Sequence, residues 1–543
     1  MHEEDASVRA RALLTGLLLV AGCNGEIGDV GDVGGAMSEG AAPVPDGDAP
    51  AVDGAAPVPE GAGPAAEPVN DPPARSDCAH VGSGKDYQVG PGKEFEAIGD
   101  VPLESLAAGD TVRIFWRPAA YHEKIMIGGQ GTADQPIRIC GVPGPGGELP
   151  VIDGEGATTR PELDFPFDGH QVRGLVIIGH KHDDPYHLQP SHITIEGLEI
   201  RNASPPFRFT DKAGAVTPYA RNAAGIFVER GEHVTIRGCD VHDNANGLFI
   251  GTGGAEIRTK DVLIESNHVH SNGSPTDYTE HNVYNEASNV VYQFNRFGPT
   301  RNGQGNNIKE RSAGVVIRYN WIEGGAHLID LVDAQEATDS VDMPSFHETF
   351  VYGNVLLRTG YGPSMVRYGG DSGQTRYYRK GTLRFFANTV FVDNATYRDY
   401  ERSAVFEAST NDERIDARNN VFASTEEPTA IRAITFLGDR DNVAAGTLVL
   451  TGNWVMKGWT PFDPVPGARL LGRVEGLDSS IIGLDPAFAS AKDLDFVPAA
   501  GGPLVGAGAA LDGLPAVDHE YAPHLQARAR DDGPKLTIGA FGL

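Results

Sequence analysis

The sequence predicts an all-β fold, a single-stranded right-handed parallel β-helix (a solenoid) with N- and C-terminal capping segments. Three observations carry that expectation. Apolar residues make up 40 % of the chain, enough for a substantial core. The 69 glycines, the many Asn and Asp, and the shortage of long amphipathic windows favour short strands joined by turns. Finally, a short apolar strand leading to Asn or Asp and then to alternating apolar residues recurs as "VTIRGCDVHDN", "VLIESNHVHSN", "VVYQFNRFGP", "VVIRYNWIEGG", "FVYGNVLLRTG", "LRFFANTVFVDN", "IDARNNVFAST" and "LVLTGNWVMKG". The aligned polar residues are Asp240, Asn267, Asn295, Asn320, Asn354, Asn388, Asn420 and Asn453, spaced 25 to 28 residues apart at first and 32 to 34 later. A repeat of that size, with two or three strands and no helix, stacks as coils about 4.8 Å apart, its aligned amides forming a ladder. An immunoglobulin-like array would show hairpin turns and longer repeats.

Before the repeats, residues 1–23 read as an export signal. Arg9 and Arg11 precede an apolar run from Leu13 to Ala21, too short to span a membrane as a mature helix. Val20-Ala21-Gly22-Cys23 resembles a bacterial lipobox, which implies lipidation of Cys23 and anchoring at the outer membrane or cell surface. Residues 24–75, rich in Gly, Ala, Pro and Asp, read as a disordered tether. Residues 76–165 are expected to hold the N-terminal cap and first coils, 166–460 the parallel β-helix, and 461–543 the C-terminal coils and cap. Export permits disulfides, and Cys78 with Cys140 is the natural pair, leaving Cys239 as a buried small hydrophobe. The net charge of −30 argues against nucleic-acid partners, and a polyanionic substrate would need a local basic site. A monomer, touching membrane only through its anchor, is expected.

Each coil also carries an earlier strand, from "GIFVER" through "NNIKER" to "AVFEAS". Aligning Ile226, Leu248, Val283, Ile308, Ile329, Val366 and Phe406 inward places Phe227, Phe249, Tyr284, Lys309, Asp330, Arg367 and Glu407 outward, because strand side chains alternate. Two residues on, the same face carries Glu286 and Arg311. A ladder of alternating charges would look similar. The aromatics beside this column and the loops 203–222, 273–280, 298–305 and 334–348 favour a binding face, the aromatics serving as a platform for sugar rings.

"EHNVYNEASNVVYQFN" and "IKERSAGVVIRYN" resemble the pectate-lyase-like superfamily, in particular its alginate-lyase and chondroitinase-B branch. Arg311, Ser312 and Asn320 match that branch's basic residue, serine and ladder asparagine, and Lys309 is equally placed for the basic role. The branch's Arg-His pair is replaced by "AHLIDLVDA". The resemblance implies a polysaccharide lyase that cleaves a uronic-acid polymer by β-elimination. Such chemistry needs cations or Ca²⁺ at the uronate carboxylate, a base for the C5 proton and a donor for the leaving oxygen. Lys309 and Arg311 are expected as neutraliser and base, one depressing the pKa of the other, with Tyr284 or His281 as donor and Asp330 in the catalytic group. Arg367, Glu407, Phe227, Phe249, Asn282, Asn307 and His327 are expected to bind substrate. Glu286 and Asp333 are the candidate Ca²⁺ ligands, whereas His242, His268 and His270 read as turn or surface residues. The alternatives are a glycoside hydrolase or epimerase using Asp330 and Glu407 with Asp333 or Glu286, and a non-catalytic glycan-binding protein.

Overall fold

The computed structural model describes residues 78–276, 278–360, 362–393, 402–428, 433–438, 443–462 and 469–543. The expected signal, Cys23 and the tether lie outside the described residues.

Short β-branched strands separated by Gly, Asn and Asp turns wind into a right-handed parallel β-helix. Three long parallel sheets of 13, 10 and 11 strands run along it, and among the described residues helix is limited to short 3-10 turns. Coils begin at Asp86–Val89, paired with Thr111–Phe115, and continue to Ile481–Gly483. Cys78 and Cys140 form the expected disulfide, their Cα atoms 5.6 Å apart. Cys239 is a buried free thiol, and burial pushes its pKa up to about 12.

Seven of the eight residues expected in the ladder form it. Each amide from Asn267 to Asn420 donates to the side-chain oxygen of the next rung at 2.9 to 3.1 Å, ending at Asn453. The residue before each rung, such as Phe294, Tyr319 or Ala387, has φ between 51° and 65°. This bend is disfavoured for L side chains, and the buried amide network offsets its cost. The expectation for Asp240 is corrected by one residue. Cys239 occupies the rung, its N–H donating to Asn267 Oδ1 at 3.0 Å, whereas Asp240 pairs with His268 on the outer surface. A Cys-Asp pair hides this register, because Asp resembles a ladder residue and Cys does not.

The closing segment returns along the flank of the coils. Phe496 stacks on Trp321 at 5.7 Å, Tyr319 donates to Asp518 at 2.9 Å, and the Ala540 N–H donates to Thr389 Oγ1 at 3.0 Å. This flank is remote in sequence from the coil residues it covers, so no local pattern announces it.

Candidate functional site

The ten-stranded sheet carries the outward column in unbroken register, from Phe227 through Phe249, Tyr284, Lys309, Asp330 and Arg367 to Glu407. Its middle strand is Ile308–Glu310. Alternation turns Glu310 inward, where it accepts from Asn285 at 2.7 Å and from Tyr292 and Ser312. Burial raises its pKa. Fully buried Arg379 donates to the carbonyls of Glu310 at 3.1 Å and Ser312 at 3.0 Å. The backbone that presents Lys309 and Arg311 is therefore pinned from two sides.

Two loops close over these cations, which are 8 % and 6 % exposed. From one, Asp371 bridges Lys309 Nζ and Arg311 Nη2, the latter at 3.1 Å. From the other, Glu336 lies 3.3 Å from Arg311 Nε and accepts the Tyr284 hydroxyl at 3.0 Å. Arg311 also donates to Tyr284 Oη at 2.9 Å and to Asp333 Oδ1 at 3.1 Å, and Lys309 lies 3.2 Å from Asp330.

This arrangement corrects the expectation that the neighbouring cation depresses the pKa of Arg311, because Asp371 sits between the two. Burial works against the Arg311 charge, but Tyr284, Asp371, Glu336 and Asp333 outweigh it and hold the guanidinium firmly protonated. Arg311 thus keeps its charge and does not fit the expected base role. Burial raises the Tyr284 pKa well above the ordinary phenol value despite Arg311, so the group is a neutral proton donor. Burial, helped by Lys309, pushes His281 down to about 3. His281 Nδ1 accepts the Asn306 N–H at 2.9 Å, which leaves the ring proton on Nε2.

The lower column is a clamp. Burial opposes the Asp330 charge, but Arg367, Lys309 and His327 hold its carboxylate below the ordinary range; Asp330 is no general acid. Asn306 donates to it at 2.7 Å. Arg367 lies 3.4 Å from Asp330 and 3.2 Å from Glu407 and donates to His327 Nε2 at 2.7 Å. Burial, helped by Arg367, pushes His327 down to about 3. The Asp330 and Glu407 pair expected for hydrolysis therefore shares one guanidinium.

Several expected substrate contacts have other tasks. Asn282 and Asn307 are fully buried and belong to a second amide ladder, in which Asn272 donates to Asn282 at 3.0 Å and Asn282 to Asn307 at 2.5 Å. Phe227 is 5 % exposed, and the Arg173 guanidinium lies 4.9 and 5.0 Å from the centroids of Phe227 and Phe249. The aromatic platform is thus covered by a cation at its upper end. Phe249 stacks on Tyr284 at 4.9 Å.

Glu286 and Asp333 do not fit a Ca²⁺ site, which takes about six to eight oxygen ligands, carboxylates among them. Asp333 already accepts from Arg311, from the Asp371 N–H at 3.0 Å and from Ser372. Burial, reinforced by Glu336, pushes Glu286 up to about 8, leaving it mostly uncharged at neutral pH.

Sequence reasoning missed Glu310, Asn306, Glu336, Asp371, Arg173 and Arg379. Strand alternation alone would have turned Glu310 inward. Asp371, in "GGDSG", lies beyond its strand, where alternation says nothing of direction.

Residues 183–352 match the family model described as a right handed beta helix region. The β-helix is also similar to solved structures. Pectate lyase Pel9A is 11 % identical, with 81 % of this chain and 89 % of that one covered and a TM-score of 0.38. An alginate lyase from Paenibacillus sp. str. FPU-7 is 11 % identical over 69 % and 93 %, with a TM-score of 0.28. A lacto-N-biosidase from Eubacterium ramulus is 11 % identical over 74 % and 68 %, with a TM-score of 0.32. No curated protein matches the chain.

Proposed function

We propose that this chain is an exported, lipid-anchored enzyme that cleaves a uronic-acid polysaccharide by β-elimination at the outer face around Tyr284, Lys309 and Arg311. The observation that carries the reading is the Asp371 carboxylate bridging Lys309 and Arg311. The pair accepts a carboxylate with one oxygen on each cation, as a uronate would present it. A uronate displacing Asp371 would have its charge neutralised by Arg311, which acidifies the C5 proton. The base role of Lys309 needs its free amine: as Asp371 is displaced the ammonium proton leaves to solvent, and the amine then takes the C5 proton. Tyr284, a neutral phenol bonded to Arg311 and Glu336, donates to the leaving oxygen.

A second reading, hydrolysis, is favoured by one observation. Burial, reinforced by Glu336, pushes Glu286 up to about 8, and glycoside hydrolysis uses a carboxyl held protonated near a second carboxyl group.

Incubation of the purified protein with alginate, pectate and glycosaminoglycans separates the readings. Elimination yields the ultraviolet absorbance of an unsaturated uronate. New reducing ends without that absorbance, abolished by Glu286→Gln, would replace elimination with hydrolysis. Retained glycan binding with neither signal would make the chain a binding protein.

A further inference from the structure

Asp240, displaced from the ladder by one residue, joins a second outer face on the eleven-stranded sheet. Parallel register there stacks Glu199 below Asp240, Asp240 below His268 and His268 below Arg296. His242 and His270 lie two residues along, on the same face as Asp240 and His268. We propose that Asp240, His268 and His270 form a binding site for one divalent transition-metal ion of the zinc type.

Geometry carries the proposal. Asp240 Oδ1 lies 3.4 Å from His268 Nδ1 and 3.1 Å from His270 Nε2, and one donor atom from each residue lies within 4.8 Å of the others. Bonds of about 2.0–2.1 Å to a tetrahedral zinc place neighbouring donors about 3.3 Å apart. The oxygen-to-nitrogen separations match that edge. Paired strands set the donors, so little ordering remains for the ion to impose.

The surroundings fit the same use. His270 Nδ1 contacts Ser271 Oγ at 3.0 Å. Placing the proton on Nδ1 turns the Nε2 lone pair toward Asp240, as outer-shell partners of metal-bound histidines do. One coil on, Gly298 follows Phe297, the partner of Val269. A Cβ at Gly298 would fall 2.7 Å from His270 Cβ and 3.6 Å from His268 Nε2, so the glycine keeps the space beside both rings open.

Of the neighbouring cations, Arg296 is directed elsewhere, whereas His242 also feels Asp240. Arg296 lies 2.9 Å from Glu323. His242 is held by Asp243 at 2.8 Å and Glu199 at 3.4 Å and stacks on His270 at 5.0 Å. Two imidazoles and one carboxylate suit a borderline ion over Ca²⁺ or Mg²⁺. Three protein ligands leave a coordination position for water or a ligand.

The test is equilibrium dialysis of the full chain, made without a polyhistidine tag and stripped of metal, against Zn²⁺ and separately Ca²⁺. One Zn²⁺ per chain bound at this site is expected, with Ca²⁺ not retained. Asp240→Asn, His268→Ala and His270→Gln should each weaken that binding at least tenfold while leaving circular dichroism and metal-free melting unchanged. Equal zinc retention by wild type and all three variants, or none by wild type, would overturn the proposal. Either result would leave only histidine–aspartate hydrogen bonds at this face.

Discussion

Arg311 donates its Nε–H to the phenolic oxygen of Tyr284 at 2.9 Å, joining a firmly protonated cation of the outer face to the proposed proton donor. Tyr284→Phe keeps the ring stack on Phe249 and removes only the hydroxyl. Turnover should fall by about 10²–10⁴-fold, the range of a lost general acid, with an unchanged melting temperature. Initial rates on the preferred polymer, beside a thermal melt, check this.

Asp371 occupies the place proposed for the substrate carboxylate, so it competes with it. Asp371→Asn removes the competing charge and retains most of the side-chain volume. KM for an acidic polymer should fall several-fold. An unchanged or higher KM would mean that substrate does not enter between Lys309 and Arg311.

Acid should destabilise the fold through two buried histidines. His281 and His327 are pushed from the usual 6.5 down to about 3, so the unfolded chain binds more protons than the native one between those values. Their stabilisation is complete above pH 6.5 and is lost as pH falls toward 3. Glu286 acts oppositely. Raised from 4.5 to about 8, it holds its proton in the native state, so stability falls as pH rises through that window. Denaturant midpoints across pH should bow downward on both sides, and Glu286→Gln should flatten the alkaline side.

The two ends of the ladder motif should respond differently. Asn320 accepts the Asn295 N–H at 3.0 Å and donates to Asn354 at 3.0 Å, so Asn320→Ala should cost about 3 kcal/mol by stranding buried groups. Asp240→Asn, off the ladder, should stay within about 0.5 kcal/mol in metal-free buffer. Urea unfolding distinguishes them, and equal losses would contradict the corrected register.

The seven-coil register of the site sheet was legible because period-2 alternation and a repeated apolar anchor, from Ile226 to Phe406, leave one alignment that buries every anchor. The same logic located Tyr284, Lys309, Asp330, Arg367 and Glu407. It failed where chain direction is set by loops. Asp371 and Glu336 reach the cations from segments without periodicity, and they convert an apparently basic patch into a balanced ion network. It also misread Asn282 and Asn307, since an asparagine beside an outward column looks the same whether it turns into a bend or out to solvent. The histidines at 268 and 270 read as turn or surface residues because their spacing matches no metal-ligand motif, and their acidic partner, Asp240, sits one coil away.

The proposed reaction is decided by the ultraviolet absorbance of unsaturated uronate released by wild type, Lys309→Ala and Arg311→Ala from the best of the three polymer classes. Elimination at this face predicts absorbance from wild type and none from either folded variant. Absorbance that survives both substitutions would place the chemistry elsewhere on the β-helix.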